Sequence, residues 1–348
     1  MDLDRRSMLG MFGSGIVLAA SGALPTLAQG SRELVIVTYP GALSGPHRWL
    51  ADQIEAKHPG LRIRLVPSDS QDIVAQIKAA QGYVPYDAGP NDEPPHLIGL
   101  SEGYLAARDD RQIPNLANAL PDFVAKSQGA GVPATYSLVG LAVNTNVVSE
   151  LPQTWADLWA PRFAGQVGIA RTSSNLGLAT LVQAAKTFGG SEDDLEIGWQ
   201  KLKELQPRAA RSPAALTQML EREEIAIAPL WNNNTAGLAQ MGLPISFVKP
   251  ADGPVAILSF FSGFANSAHP ELVAEWLNGI LSKEYQSHAA GAPYYFGPTV
   301  TGVEVPPEAA PFTPNSAEEI AALQTIDWTR IVPQRSELVD RFDRDFSV

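Results

Sequence analysis

The sequence predicts an α/β protein of two lobes, each built from a mixed sheet that is flanked by helices. Strand and helix patterns alternate between residues 33 and 105, and the same alternation restarts after Gly131. The length of 348 residues corresponds to roughly two domains of about 150 residues each. Hydrophobic residues make up 45% of the chain and charged residues 18%, a composition that suits two packed cores and excludes a disordered chain.

The first alternation begins with a short β-branched run, which predicts a strand that ends in a loop at Tyr39. A helical pattern follows, and Pro59-Gly60 ends it. In chain order, the predicted elements are a strand at 33–38, a helix at 46–57, a strand at 61–67, a helix at 69–81, a strand ending at 86–90 and a helix at 95–105. Such alternation is typical of a parallel or mixed sheet.

The second alternation follows Gly131 and contains a wholly apolar run that predicts a buried strand. The predicted elements are a strand at 137–144, a short helix at 154–159, a strand at 167–170, helices at 175–188 and 213–222, the buried strand at 225–230, strands at 245–249 and 256–264, and an amphipathic helix at 270–281. A Pro-rich connector at 305–314 then leads to a final helix at 336–346.

Charge and cysteine content exclude several classes of function. The chain has 25 basic and 37 acidic residues, which give a net charge of −12. Nucleic acids are bound mainly by Lys and Arg that neutralise phosphates, so this balance argues against a nucleic-acid partner. The chain contains no Cys, which excludes disulfides, thiolate zinc sites, iron–sulfur clusters and Cys nucleophiles.

The N-terminal segment has the three parts of an export signal. Arg5-Arg6 supplies the positive start, residues 8–24 are apolar, and the small residues Thr26 and Ala28 suit cleavage after Ala28. The letters DRRSMLG resemble the twin-arginine export motif. We therefore expect residues 1–28 to be a cleaved, twin-arginine-like signal peptide that delivers the mature chain to the periplasm. A Sec signal and an uncleaved anchor are the alternatives.

Four segments of the mature chain resemble motifs of one protein family, in that family's order. They are GVPATYSLVGLAVN at 131–144, LPQTWADLW at 151–159 followed by FAG at 163–165, IAIAPLWN at 225–232, and YFGPT at 295–299 with the tail at 326–342. On these motifs the chain resembles the periplasmic solute-binding proteins of ABC importers, and among them the spermidine/putrescine-binding branch. The resemblance spans almost the whole mature chain.

This resemblance implies a two-lobed periplasmic binding protein fold, in which the ligand cleft lies between lobes that close about crossing strands. It places the first lobe at 31–135 plus 256–348 and the second lobe at 136–255. It also implies a function in transport, in which the protein binds a small-molecule solute and delivers it to the membrane-embedded permease subunits of an ABC transporter. We expect a monomer without a cofactor, a bound metal or enzymatic activity.

Candidate ligand-binding residues lie at strand ends and helix starts, where α/β sheets place their binding groups. Tyr39 ends the first strand, and Trp231 follows the apolar strand at 225–230 together with several Asn side chains. The full candidate set is Tyr39, Asp87, Asn91, Asp92, Tyr136, Arg171, Thr172, Ser173, Ser174, Trp231, Asn232, Asn233, Ser259, Phe260 and Tyr295.

The segment 171–175 is the candidate for binding an acidic group. It opens a predicted helix with hydroxyl side chains and backbone N–H groups, and Arg171 stands at its beginning. Helix starts of this kind bind carboxylates and phosphates. The alternative is that Ser or Thr here simply caps the helix.

The cleft residues depart from the polyamine-binding pattern. Those relatives carry an Asp in a W-x-D motif on the return strand, where this chain has Ile257 and Ser259, and their acidic helix start reads TSSN at 172–175 here. A buried dication without carboxylate partners is costly. The sequence therefore favours a ligand that bears an acidic group, with or without an amine. The alternative is a true putrescine or spermidine receptor in which acidic residues between 87 and 93 replace the missing carboxylates.

Enzyme signatures are weak by comparison. GLSEG at 99–103 matches the G-x-S-x-G of a nucleophile elbow, but Ser101 lies inside a helical pattern rather than at a strand-to-helix turn. The five His residues show no paired metal-ligand spacing, and the chain has neither a P-loop nor a Rossmann glycine pattern. A periplasmic enzyme on a similar fold is the lesser alternative.

Overall fold

The computed structural model describes residues 32–68, 70–80 and 83–346, so the predicted export signal at 1–28 lies outside the described residues. The strands in this part of the chain are β1 Arg32–Thr38, β2 Leu61–Pro67, β3 Ala88–Asp92, β4 Val132–Asn144, β5 Gly168–Ala170, β6 Arg208–Ala210, β7 Ile227–Trp231, β8 Ile245–Val248 and β9 Val255–Gly263. Strands and helices alternate through the chain, which confirms the predicted α/β class.

The helices flank these strands. They are α1 Gly45–Lys57, α2 Ser70–Ala79, α3 Glu93–Glu102, α4 Pro121–Lys126, α5 Asn175–Thr187, α6 Glu196–Leu205, α7 Pro213–Glu221, α8 Asn232–Gln240, α9 Pro270–Ile280, α10 Lys283–Ala290, α11 Ala317–Ala321, α12 Trp328–Ile331 and α13 Arg335–Asp345. Short 3₁₀ turns occur at Gly41–Ser44, Asp110–Gln112, Pro114–Asn118, Trp155–Trp159, Pro161–Phe163, Pro307–Ala309 and Val332–Gln334. None of the helices in the described ranges is both long and apolar enough to cross a membrane.

One mixed sheet runs through the molecule. Within the described residues its strand order is β2-β1-β3-β9-β4-β7, with β8 paired to β4, and β5 and β6 form a separate parallel pair. β1 is parallel to β2 and β3, whereas β9 is antiparallel to both β3 and β4. The sequence predicts one mixed sheet for each lobe, and the structure instead joins strands of both lobes in a single sheet through β9 and β4.

The long strands β4 and β9 make this joint. β9 pairs with residues 132–139 of β4, and β8 takes over the same edge of β4 from Leu141 to Asn144. Every residue of β9 is buried, and in β4 only Ser137 is partly exposed. These runs read as almost continuously apolar because both faces of each strand are covered.

Two regions of hydrophobic core lie on either side of this joint. We call the region around β1, β2 and β3 with α1, α2, α9 and α10 the first lobe; its core includes Leu34, Ile36 and Trp276. We call the region around β5, β6 and β7 with α5 to α8 the second lobe; its core includes Trp199 and Leu178.

The C-terminal tail packs on the second lobe. Trp328, Ile331, Leu338 and Phe342 belong to the same hydrophobic cluster as Trp199. Ion pairs fasten its last helix to the same lobe, namely Arg341 to Glu196 at 2.7 Å and Lys203 to Asp345 at 2.9 Å. The predicted division of the chain assigns 256–348 to the first lobe. The structure instead packs the C-terminal tail of this range on the second lobe. The remaining lobe boundaries stay a prediction.

Most predicted elements are present with shifted ends, but the segment after β7 differs. The sequence analysis assigns no helix between the strands at 225–230 and 245–249, and the structure begins α8 directly at Asn232. The side-chain oxygen of Asn233 accepts a 2.8 Å hydrogen bond from the backbone N–H of Asn234. Asn favours helix starts because its side chain can bond nearby backbone N–H groups. The run of three Asn is therefore the first turn of a helix.

Two histidines are buried beneath the first-lobe side of the sheet. The ring of His47 stacks on Tyr39 with centroids 5.9 Å apart. His96 Nε2 donates to the carbonyl of Ser127 at 2.9 Å, and its ring lies 4.4 Å from that of Phe260. Burial lowers the pKa of His47 to about 3 and the pKa of His96 to about 4. Both imidazoles are therefore neutral in the folded protein at ordinary pH.

These histidines predict a specific acid sensitivity. Because their folded-state pKa lies below the unfolded value of 6.5, the unfolded chain binds more protons and stability falls as the pH drops below that value. One proton per histidine gives a slope of about 1.4 kcal/mol per pH unit, so the two together give about 2.7 kcal/mol per unit between roughly pH 6 and pH 4. Urea unfolding followed by circular dichroism measures the slope. His47→Gln should lower the slope by about 1.4 kcal/mol per pH unit, and an unchanged slope in this variant would contradict the assignment.

Candidate functional site

A cleft of about 610 Å³ opens where the ends of β1 and β3 face the starts of α7 and α8. Both lobes contribute walls to it, and β4 and β9 form its floor. The lining residues in the described part of the chain are Tyr39, Pro40, Leu43, Asp92, Ser137, Ser212, Pro213, Ala214, Trp231, Asn233, Asn234, Ile257, Ser259 and Phe296. A cleft of this size, apolar with a few convergent polar groups, is typical of a small-molecule site.

The first-lobe wall is aromatic. Tyr39 follows the last residue of β1, and its ring stacks on His47 and on Phe296 with centroid distances of 5.9 and 6.0 Å. The hydroxyl of Tyr39 shares a hydrogen bond with that of Ser259. Contacts with these two rings and a hydrogen bond at its tip thus hold the Tyr39 ring, which lines the cleft.

The floor is formed by alternate residues of the two crossing strands. Ile257 and Ser259 lie two positions apart on β9 and therefore point to the same face of the sheet. Ser137 of β4 stands opposite Ile257 in the strand register. The floor consequently offers two hydroxyls on either side of an aliphatic side chain, and it carries no charge.

The second-lobe wall consists of two helix starts and an indole. Trp231 is half-buried at the end of β7, and Asn233 and Asn234 follow in the first turn of α8. Ser212 caps α7 by accepting a 3.1 Å hydrogen bond from the backbone N–H of Ala215. Helix starts carry a partial positive charge, so this wall favours an electron-rich group on a ligand.

Asp92 is the one acidic or basic residue among the described residues that line the cleft. It ends β3 and stands opposite Ser259 in the pairing with β9. Its Oδ2 accepts a 3.1 Å hydrogen bond from Nδ2 of Asn175, which begins α5 in the second lobe. Burial lowers the pKa of the nearby Arg335, and the negative charge of Asp92 opposes that shift.

The structure brings five of the sequence-predicted residues together in this cleft. They are Tyr39, Asp92, Trp231, Asn233 and Ser259. Each of them lies at or just after the end of a strand or on the return strand, which is where α/β sheets place their binding groups. Their contact with a ligand remains a prediction.

Arg171 lies elsewhere. Its Nε donates to Asp343 Oδ1 at 2.7 Å, and its Nη2 pairs with the second oxygen of the same carboxylate. This two-pronged ion pair joins the second lobe to α13 and leaves Arg171 outside the cleft. The side chain lines a separate cavity of about 340 Å³, together with Arg211, Asp343 and Phe346.

The rest of the predicted anion site is covered by the same C-terminal helix. Thr172 Oγ1 donates to the carbonyl of Leu338 at 3.0 Å, and the Ser173 carbonyl accepts a 2.6 Å hydrogen bond from Arg335. Ser174 caps α5 through its side chain. Ser174 therefore acts as a helix cap, which is the alternative to ligand binding. The C-terminal tail covers the space over this helix start.

Asp87 and Asn91 serve the first-lobe sheet. Asp87 accepts hydrogen bonds from the backbone N–H of Val35 at 2.7 Å and from the hydroxyl of Ser267 at 2.6 Å. Asn91 is fully buried and donates to the carbonyl of Gly89 at 3.2 Å. Because Asn91 is adjacent to Asp92 on β3, it points to the opposite face of the sheet.

Tyr136 and Phe260 are core residues for the same reason. Phe260 is next to Ser259 on β9, so its ring points away from the cleft and packs on His96. Tyr136 is fully buried, and a β-carbon at Gly297 would lie 2.0 Å from its ring. Glycine at 297 is thus what allows that ring to pack.

Asn232 and Tyr295 lie below the cleft, where hydrogen bonds connect them to each other and to β4. Asn232 accepts from the backbone N–H of Leu138 at 2.9 Å and donates to the carbonyls of Tyr295 and Phe312 at 2.6 and 3.1 Å. The Tyr295 hydroxyl accepts a 2.6 Å hydrogen bond from Gln240. The Asn232 amide is fully buried and bonded at both ends, and it does not line the cleft, so its role is structural rather than ligand binding.

Several lining residues were not among the candidates, and some of them could have been found. Ser212-Pro213-Ala214 follows the short strand β6 and starts α7. Ser followed by Pro is a helix-start signature, and the rule that binding groups follow strand ends would have selected it. Ser137 and Leu43 have no such signal, because only the register of β4 and the turn after β1 place them here.

Within the described residues, no group of three or more His, Cys, Asp or Glu side chains is arranged to hold a metal ion. The groups that the cleft offers to a ligand are one carboxylate, several hydroxyls and amides, two helix starts and three aromatic rings.

Comparison with known proteins places the fold and the family. A solved structure of an ABC transporter protein from Clostridium perfringens superposes with a TM-score of 0.77 and 20% identity, covering 90% of this chain and 100% of that one. Structural neighbours of this kind are two-lobed periplasmic binding proteins, which confirms the predicted fold.

Two sequence relatives are named for the small amine-bearing compounds that they bind. The spermidine/putrescine-binding periplasmic protein of Escherichia coli is 25% identical over 199 residues, which cover 54% of this chain and 56% of that protein. The alignment thus spans about half the length of that relative. The gamma-aminobutyric acid-binding protein of Pseudomonas aeruginosa is 23% identical over 352 residues, which cover 97% of this chain and 95% of that protein.

The family model for bacterial extracellular solute-binding proteins matches residues 99–332, more than half of the chain. The chain therefore belongs to the bacterial extracellular solute-binding protein family.

Proposed function

We propose that this protein is the exported receptor of an ABC importer, which binds a small amine-bearing solute between its lobes and delivers it to the permease subunits in the membrane. Family membership and the two-lobed fold support the receptor role. The signal-like segment at 1–28 and the periplasmic relative support export to the periplasm. In this role the protein binds its solute without chemical turnover.

The observation that carries the ligand class is the placement of Asp92. It supplies the one formal charge among the described cleft residues, and a carboxylate at the edge of an apolar cleft favours a cation. Tyr39, Trp231 and Phe296 line the same space, and aromatic faces attract ammonium groups as well as apolar chains. The ligand should therefore carry an ammonium group that pairs with Asp92.

The opposite wall indicates the second group of the ligand. The starts of α7 and α8, with Ser212, Asn233 and Asn234, offer hydrogen-bond donors and partial positive charge. Such a wall suits a carboxylate or another acceptor rather than a second cation. We infer a short zwitterion with separated amine and acid groups, as in an ω-amino acid. The expectation of an acidic group is thus kept, but its partners move from Arg171–Ser174 to the starts of α7 and α8.

A polyamine is the second candidate. The Escherichia coli relative supports it, and Asp92 with its aromatic neighbours would bind one end of a diamine. The second ammonium would then face helix starts that disfavour it. Asp87, an alternative source of a second carboxylate, is committed to Val35 and Ser267, and Glu93 is buried against Lys126 at 3.0 Å.

Four compounds with the same four-carbon chain separate these candidates. Calorimetric titration of ligand-free protein should give tightest binding for γ-aminobutyrate, because only it presents an amine to Asp92 and an acid to the helix starts. Butylamine and butyrate should each bind at least about tenfold more weakly, since each loses one charged hydrogen bond. Putrescine should also be weaker. Tightest binding of putrescine would favour the polyamine candidate, and conversion of any compound to a product would favour an enzyme.

Asp92→Asn should reduce γ-aminobutyrate affinity by about 10- to 100-fold, since a charge-assisted hydrogen bond to the ammonium is lost. Asp122→Asn is the matched control, because Asp122 is exposed on α4 and does not line the cleft. It should bind like the wild type. Equal affinity of the Asp92 variant and the wild type would show that Asp92 does not hold the amine.

Substitutions of Trp231 and Arg171 distinguish the cleft from the cavity beside Arg171 as the ligand site, because only one of the two should change ligand affinity. Trp231→Ala should weaken ligand binding by about 1–3 kcal/mol, because a large aromatic contact is removed. Arg171→Ala should leave the dissociation constant unchanged, because its guanidinium is bound to Asp343 outside the cleft. The reverse pattern in calorimetry would place the ligand beside Arg171.

A further inference from the structure

Three side chains form a line from the C-terminal helix to the cleft. Arg335 begins α13, Asn175 begins α5, and Asp92 ends β3. Arg335 Nη1 donates to Asn175 Oδ1 at 3.1 Å, and Asn175 Nδ2 donates to Asp92 Oδ2 at 3.1 Å. Arg335 Nη2 also donates to the carbonyl of Ser173 at 2.6 Å. The guanidinium is thus held at two points on the start of α5.

The guanidinium determines which way the Asn175 amide faces. A guanidinium has only donors, so it can bind only the oxygen end of an amide, and the NH₂ end must then face Asp92. If the amide rotated, its oxygen would face the carboxylate and two acceptors would repel each other. Asn175 is only 9% exposed, so water has little access to restore the lost hydrogen bonds.

This line also crosses between the lobes. Asp92 belongs to the first-lobe sheet, whereas Asn175 and Arg335 belong to the second lobe and the tail packed on it. The tail therefore takes part in fixing a cleft group that is far from it in sequence. Removing the Asn175 hydrogen bond would take away one of the contacts that fix the carboxylate in the position in which it meets an ammonium.

We propose that Arg335 is a positioning residue that, through Asn175, holds the Asp92 carboxylate in the orientation that binds the ammonium group of the solute. This inference rests on the proposed function, because it presupposes an ammonium at Asp92. Arg335 itself touches no ligand in this role. Its contribution is to orient the carboxylate, and its positive charge alone would not provide that.

Arg335→Lys separates orientation from charge. Lysine keeps the positive charge but lacks the planar fork that binds Asn175 and Ser173 together. Calorimetry with γ-aminobutyrate should show about tenfold weaker binding for Arg335→Lys than for the wild type. In the Asp92→Asn background the same change should have no further effect, because the carboxylate that it positions is gone. Asn175→Ala should cause a similar loss, and it tests the proposal independently if Arg335→Lys does not fold.

Arg341→Lys is the control on the same helix. Arg341 binds Glu196 with two hydrogen bonds and has no part in the line to Asp92, so this variant should bind like the wild type. Wild-type affinity in both Arg335→Lys and Asn175→Ala would overturn the proposal while leaving the proposed function intact. An equal loss in the Asp92→Asn background would also overturn it, because that result indicates a general structural role. Absence of γ-aminobutyrate binding by the wild type would instead refute the proposed ligand class and, with it, this role for Arg335.

Discussion

The antiparallel pairing of β4 with β9 is the constraint on which the rest of the molecule depends. These two strands run through the boundary between the lobes, and nearly all of their residues are buried. β3 is attached to one side of the pair and β7 to the other, so the strand ends that carry Asp92 and Trp231 reach the cleft from opposite lobes. The alternation of side chains along β9 then decides that Ile257 and Ser259 face the solute space while Phe260 enters the core.

The C-terminal tail has a larger role than its position at the end of the chain indicates. It packs its apolar residues into the second-lobe core and covers the start of α5. The sequence alone predicts an anion site at that helix start. In the structure, the groups there bind the protein's own C-terminal tail. The chemistry expected there is available instead at the starts of α7 and α8, which remain open to the cleft.

The sequence is sufficient for most strands and for the helices with clear start signals, because periodicity and helix-start residues are local signals, whereas α4, α6, α8 and α10 are not predicted from it. It also selects Tyr39, Asp92 and Trp231, since each follows a recognisable strand. It cannot show that Asn232 is buried below the cleft while Asn233 lines it, because one residue of helix rotation separates those outcomes. Nor does it show that Asp343 would neutralise Arg171 from a distance of 172 residues along the chain. Such pairings depend on tertiary packing, which leaves no local pattern.

The most direct test of this account is a crystal structure of the protein with γ-aminobutyrate bound. We expect the amine nitrogen within about 2.7–2.9 Å of an Asp92 carboxylate oxygen, with the carbon chain against Tyr39 and Trp231 and the acid group at the starts of α7 and α8. A ligand bound in the cavity beside Arg171, or one whose nitrogen lies beyond hydrogen-bond reach of Asp92, would contradict the account.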